Sequence, residues 1–261
     1  MKRAVTLFFI TLCFNAAIWA QSTSPVNKPV TLLGAATWDN PDQPFGRRRP
    51  VAAADKVSIT LYRSGKIPAF FFANFGGPTE LASDWAIQSD DNSTLKSCRI
   101  PASVTLNGNG LILETLAVTG HKAAWSTGYV YSNFKQHYGY FECRMKAAHG
   151  AGINNAFWLT TDDSFEIDIT EVKYPNYSHM TLHHRKPVHQ AVGFGQLFTD
   201  NLSYGYHDYA VLWTQQSLVF AVDGEAVAVM DIVDSIKGDA TIRLSTALAD
   251  FAGKIPTNPV G

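Results

Sequence analysis

Apolar and polar residues alternate along most of the chain in short runs, the period-2 pattern of half-buried strands. Residues 56–62, KVSITLY, set Val57, Ile59 and Leu61 against Ser58, Thr60 and Tyr62 and predict a strand. Residues 103–115 are two such runs around Asn107-Gly108-Asn109-Gly110, a hairpin signal. Further strands are predicted at GYVYSNF (128–134), GYFECRMKA (139–147), NAFWLTT (155–161), FEIDITEV (165–172), HMTLHH (179–184), DYAVLWT (208–214) and ATIRLSTAL (240–248). Residues 217–230 hold two runs around Asp223-Gly224. No stretch has a sustained helical period and no repeat recurs at fixed spacing. The pattern predicts one all-β domain, a sandwich or a barrel.

Two regions fall outside this pattern. Lys2 and Arg3 precede an apolar run from Ala4 to Ile18 that ends Ala-Ala-Ile-Trp-Ala-Gln. This reads as a secretory signal over 1–20, cleaved after Ala20, and predicts a secreted protein, extracellular or periplasmic. The run is shorter than the ~20 residues that a membrane helix needs. Residues 21–55, rich in Ser, Pro, Asn and Asp, read as an irregular leader in which Arg47-Arg48-Arg49 has no assigned role. Residues 56–261 are then the folded domain.

Composition narrows the function classes. Of 261 residues, 46% are hydrophobic and 16% charged, which excludes disorder. A formal net charge of -1 supplies no field for nucleic acid or acidic membranes. With Cys13 leaving in the signal, Cys98 and Cys143 remain, and an oxidising compartment makes one disulfide between them an expectation. Neither has a CxxC-type neighbour, so no metal site is expected there.

The segment SFEIDITEV (164–172) raises a chemical question, because Glu166, Asp168 and Glu171 interrupt an otherwise apolar, β-branched run. In a strand Glu166 and Asp168 share a face and Glu171 falls on the other. One extra residue bulged at Ile169-Thr170 would return Glu171 to their face. A retaining glycosidase needs two carboxyl groups roughly 5–5.5 Å apart, one as nucleophile and one as acid/base. The alternative is an edge strand carrying solvated acids.

The hexapeptide EIDITE resembles the Glu-x-Asp-x-x-Glu signature of glycoside hydrolase family 16 in its β-bulge form. FANFGG (72–77) with Trp85, residues 126–147, NAFWL, HDYAVLWT (207–214) and FAVDGEAV (220–227) resemble the family's other blocks in the family's order. The resemblance spans roughly residues 70–259. It implies a β-jelly-roll of two antiparallel sheets with an open cleft across the concave one. By matching position Glu166 is the nucleophile, Glu171 the acid/base, and Asp168 tunes their protonation. The implied activity is endo-acting, retaining hydrolysis of a β-glycan, β-1,3-containing glucan first and red-algal galactan (agar, porphyran or carrageenan type) second. A non-catalytic carbohydrate-binding jelly-roll is the rival from another class. No cofactor is implied, although a structural calcium on the convex face would fit the family. The expected partner of this monomer is a polysaccharide, with neither nucleic acid nor membrane.

Other residues qualify the resemblance. Asn154 and Asn155 stand where family glucanases carry an aromatic platform. Tyr129 and Tyr131 share a strand face and are candidate sugar contacts, as is Trp158, with core positions as the alternative. His183 matches a histidine of bulge-type members near the carboxylates. A metal shared by His183, His184 and His189 is disfavoured, since adjacent strand residues face opposite sides. Arg185 and Lys186 would suit sulfate groups, or form a solvated loop. A final family strand is missing after residues 248–261, so an unpaired sheet edge is expected.

Overall fold

The computed structural model describes residues 4–13, 30–34, 36–37, 40–67, 69–75, 78–91, 95–108 and 110–255. In chain order its strands are β1 (Ala4–Cys13), β2 (Arg47–Arg49), β3 (Ala69–Ala73), β4 (Trp85–Ile87), β5 (Cys98–Arg99), β6 (Val104–Leu106), β7 (Leu111–Ala117), β8 (Trp125–Thr127) and β9 (Tyr129–Gln136). There follow β10 (Gly139–Lys146), β11 (Ile153–Thr161), β12 (Phe165–Lys173), β13 (Tyr177–His184), β14 (Gln190–Leu197), β15 (His207–Trp213), β16 (Ser217–Val222), β17 (Glu225–Asp231) and β18 (Ala240–Leu248). Two helices, α1 (Ala53–Arg63) and α2 (Pro78–Asp84), interrupt them.

The strands make the expected all-β sandwich. One sheet of seven strands runs β14-β13-β12-β11-β18-β9-β4, and the other, of eleven, runs β2-β17-β16-β15-β10-β1-β7-β8-β5, with β3 on β1 and β6 on β7. Among the described pairs only β5 and β8 run parallel. The inner faces meet in one core. Phe157, Leu159, Ile167, Leu182, Ile242 and Leu244 from the seven-stranded sheet pack with Phe141, Met145, Val211, Trp213 and Phe220 from the other. Each such side chain contributes roughly 1.5–3 kcal/mol of burial. That layer fixes which face of β12 looks inward.

Several expectations are corrected. Residues 56–62 are helical, within α1. Strand parity put Val57, Ile59 and Leu61 on one face, whereas Ile59 is buried and Val57 and Leu61 are 67% and 46% exposed. The buried face instead follows the helical spacing Asp55, Ile59, Tyr62 and Arg63, and two of its anchors are charged. Asp55 accepts from the Ala52 N–H at 2.7 Å and from Arg49 at 2.7 and 2.9 Å, closing the first turn. At the last turn Arg63 donates to Glu142 Oε2 at 2.9 Å and to Asp208 Oδ2 at 2.6 Å. The Arg47–Arg49 run also has structural work. It pairs with Asp231–Val229 of β17, and Arg48 holds Asp42 at 2.8 Å. The leader is therefore not irregular throughout.

Ala4–Cys13, the apolar part of the signal reading, is strand β1, bonded to β10 on one side and to β7 and β3 on the other. It has no charged residue and is rich in Val, Ile, Thr and Phe, the composition of a buried strand as much as of a signal core. The cleavage point at Ala20 and residues 256–261 lie outside the described residues.

Cys98 and Cys143 are both buried and carry no disulfide, so the expected bridge is not formed. Four strand steps separate β5 from β10, on the order of 19 Å of sheet, against the roughly 4–7 Å between Cα atoms that a bridge tolerates.

Removing the Arg63 anchor should be felt as instability. Arg63→Met leaves Glu142 and Asp208 without their shared cation, and partial solvent access keeps the expected loss to about 2 kcal/mol. Thermal melting should fall by roughly 4–8 °C, and adding Glu142→Gln to that variant should recover part of it. An unchanged melting temperature would show that α1 is held without Arg63, by Asp55, Ile59 and Tyr62.

Candidate functional site

The site is built on β12. Phe165, Ile167, Ile169 and Val172 are buried in the core, while Glu166, Asp168 and Glu171 face the other way and line one cleft. Parity alone forbids this, and the register shows how it happens. Against β11, Asp168 pairs with Trp158 and Thr170 with Phe157, leaving Ile169 as the extra residue. Against β13 the same slip lies between Asp168, opposite Thr181, and Glu171, opposite His179. The bulge is where the sequence placed it. Thr170, buried inside it, shares a hydrogen bond of 2.6 Å with Ser178.

Each acid has its own partners. Glu166 is gripped by Arg185, whose Nε donates to Oε2 at 3.2 Å and whose Nη2 donates to Oε1. Asp168, 5% exposed, receives His183 Nε2 on Oδ2 at 2.9 Å. Glu171 Oε1 accepts from Asn154 Nδ2 at 2.6 Å. Burial and the Glu166 charge push the Asp168 carboxyl above its ordinary range, against the pull of His183 and Arg185. Burial and the Asp168 charge push Glu171 up as well, opposed by Lys173, Asn154 and His179.

A histidine pair backs the centre. Burial would lower His183, but its hydrogen bond to Asp168 and the charges of Asp168 and Glu166 carry it above the usual imidazole value. Its Nδ1 lies 2.8 Å from His189 Nε2, which is also 3.1 Å from Arg185 Nη1. Burial and the charges of Arg185 and His183 hold His189 below the usual value. One short loop thereby positions His183 on Asp168 and Arg185 on Glu166. His184 points to the other face and stacks on Phe165 at 4.3 Å, as parity requires. Ligand atoms of Glu166, Asp168 and His183 lie within 4.8 Å of one another, with Asp168 already engaged by His183 and Glu166 by Arg185.

The cleft, of about 470 Å³, is also lined by Tyr129, Asn154, Trp158 and His183, four of the five candidate sugar contacts. Tyr131 does not line it; it sits edge-on to Tyr129 at 6.3 Å, beside Arg243. Trp158 is held by Nε1 donating to Ser245 Oγ at 3.0 Å, with Tyr129 5.7 Å away. Asn154 turns its amide to Glu171, and its Oδ1 is a buried acceptor with no partner among the described residues. Asn155 faces inward and is structural, bonding Ala148 N and Val172 O at 2.9 and 3.0 Å.

Sequence reading missed Lys173, His179 and Arg99, which also line the cleft. Lys173 carried a usable signal, since it follows Glu171 by two on the same strand face. Its Nζ lies 2.5 Å from His179 Nδ1 and 4.8 Å from the Phe251 ring centroid. Arg99 stacks over Tyr129 at 4.8 Å while bonding Asp90 at 3.1 Å. Arg185 and Lys186 part company. The first is on Glu166; the second is exposed at a cis Lys186–Pro187 bond.

The chain is similar to known proteins. An endo-1,3-1,4-β-glycanase, EglC, of Rhizobium meliloti is 32% identical over 129 residues, 47% of this chain and 27% of that protein. A β-glucanase of Acetivibrio thermocellus is 29% identical over 172 residues, 60% of this chain and 47% of that protein. The chain thus spans less than half the length of these two curated relatives. Among solved structures, a family 16 endo-glucanase from Bacteroides ovatus in complex with G4G3G-2F-DNP superposes with a TM-score of 0.62 at 19% identity, over 70% of this chain and 89% of that one. That likeness speaks for the fold. The family model for glycosyl hydrolases family 16 matches residues 89–242, a span that takes in β12 and all three acids. The chain belongs to glycosyl hydrolases family 16.

Proposed function

We propose that this protein is an endo-acting, retaining hydrolase of β-1,3-containing glucans, with Glu166 as nucleophile and Glu171 as acid/base. The observation that carries the reading is the bulge at Ile169, which sets two glutamates on one wall of a cleft with an aspartate between them. Glu171, held by Asn154 and raised by burial, gives its proton to the leaving glycosidic oxygen. Glu166 forms the covalent bond to the anomeric carbon as the old bond breaks. Water then attacks that carbon, Glu171 takes its proton, and the second inversion restores the starting configuration. Asp168, supported by His183, supplies the like charge that raises the proton affinity of the acid.

Charge balance favours a neutral glucan over a sulfated galactan. Arg185 is engaged by Glu166, Arg99 by Asp90, and Lys173 faces Glu171, so the cleft has no surplus of positive charge for sulfate. A purely carbohydrate-binding role is disfavoured for another reason. Desolvating three neighbouring carboxylates costs several kcal/mol that sugar recognition alone does not require.

Export is part of the proposal and rests on Lys2, Arg3 and the apolar run up to Ala20. Cleavage there would remove β1 and open β7 and β10 to another strand. The intact mass of protein collected from the medium or periplasm should correspond to a chain beginning at Gln21. A chain beginning at Met1 would make β1 a permanent strand and sink the export reading.

Chemical rescue tests the assignment of roles. With an activated aryl β-glucoside, Glu171→Ala should still form the covalent intermediate, and added azide should trap it as a β-glycosyl azide. Glu166→Ala should give the α-azide by direct displacement. Exchanged products would exchange the roles, and full activity in both variants would end the proposal.

The pH profile tests the electrostatics. Activity is lost at high pH as Glu171 gives up its proton, so this limb follows the Glu171 pKa. Lys173→Met removes a charge that lowers that pKa and should move the limb to higher pH. Asp168→Asn removes one that raises it and should move the limb to lower pH. Shifts of the same sign in both variants would refute the coupling.

A further inference from the structure

We propose that Asp91, Cys98 and His121 form a binding site for a thiophilic divalent cation of the Zn(II) class. The three residues come from separate segments that backbone bonds bring together. Cys98 opens β5, which runs parallel to β8 with Cys98 opposite Ser126. Asp90 and Arg99 exchange backbone hydrogen bonds of 3.0 and 2.8 Å, which fixes Asp91 beside that strand. His121 stands in the turn between β7 and β8, closed by the Val118 N–H donating to the Ala124 carbonyl at 3.0 Å.

One ligand atom from each residue lies within 4.8 Å of the other two. His121 Nδ1 and Asp91 Oδ1 are already 3.1 Å apart. A tetrahedral ion with bonds of about 2.0–2.3 Å places its donors roughly 3.5 Å from one another. Closing on an ion therefore needs a contraction toward the sulfur of at most about 1.3 Å and a slight opening of the His121–Asp91 pair, and His121 sits in an exposed turn. The thiol is the buried member, at 1% exposure, while Asp91 and His121 have side chains 41% and 34% exposed. An ion can thus arrive from solvent and meet sulfur beneath nitrogen and oxygen.

The donor set selects the metal. Thiolate with imidazole and one carboxylate suits Zn(II), whereas Ca(II) and Mg(II) take oxygen ligands alone. Three protein ligands leave a fourth position for water. Coordination replaces the Cys98 S–H bond by a sulfur–metal bond and releases the proton to solvent. The site also touches the glycan cleft, because Arg99, the next residue after Cys98, stacks on cleft-lining Tyr129.

The test uses Co(II) as a spectroscopic probe on the full, reduced, metal-free chain. One equivalent should develop a thiolate-to-cobalt charge-transfer band, and Zn(II) should erase it by displacement. Cys98→Ser should abolish the band, and His121→Ala should weaken Co(II) binding about tenfold or more, with unchanged far-UV circular dichroism in both. Cys143→Ala and His183→Asn should leave it intact, since one sits in the core and the other belongs to the carboxylate cluster. Absence of the band, its survival in Cys98→Ser, unchanged affinity in His121→Ala, or its loss in His183→Asn would overturn the proposal.

Discussion

One inserted residue governs this molecule. Ile169 occupies the bulge of β12, and its own side chain is buried at 2% exposure. A strand of period 2 cannot present Glu166, Asp168 and Glu171 together, and a strand that slipped register would turn its apolar residues out of the core. The bulge resolves the conflict. Phe165, Ile167, Ile169 and Val172 stay in the core while all three acids reach the cleft. Roughly 1.5–3 kcal/mol of burial per large apolar side chain holds this arrangement against the repulsion it imposes.

That repulsion is the next layer. Asp168 is buried and Glu171 half-buried; the Glu166 charge raises the proton affinity of Asp168, and the Asp168 charge raises that of Glu171. The surrounding segments answer with cations and donors at each acid: Arg185 at Glu166, His183 at Asp168, and Asn154 with Lys173 at Glu171. A cluster so compensated has lower tolerance for change than a solvated one, because removing any partner leaves a buried charge exposed to its like. Chemistry and stability pull in opposite directions here, as they do at many sites of this kind.

The outer sheet solves a different problem. Helix α1 covers it with few apolar contacts, and charged anchors at both of its ends, Asp55 on Arg49 and Arg63 on Glu142 and Asp208, do much of the holding. Its period was hidden for that reason. Val57, Ile59 and Leu61 alternate like a strand, and only Ile59 is used. Arg47–Arg49 was illegible in the same way, since a basic run reads as solvated until its carboxylates, far along the chain, are known.

By itself the sequence determined the all-β class, most strands, the hairpins at Gly108 and Gly224, the three acids and the need for a bulge between them. These follow from local rules, alternation and turn chemistry, which the chain carries residue by residue. Only the tertiary structure decided what depends on neighbours distant in sequence. It turned Arg185 onto Glu166, kept Tyr131 off the cleft, separated Cys98 from Cys143, and brought Asp91 and His121 to Cys98 instead. Sheet order sets these distances, and sheet order comes from packing two faces together, which no local pattern encodes.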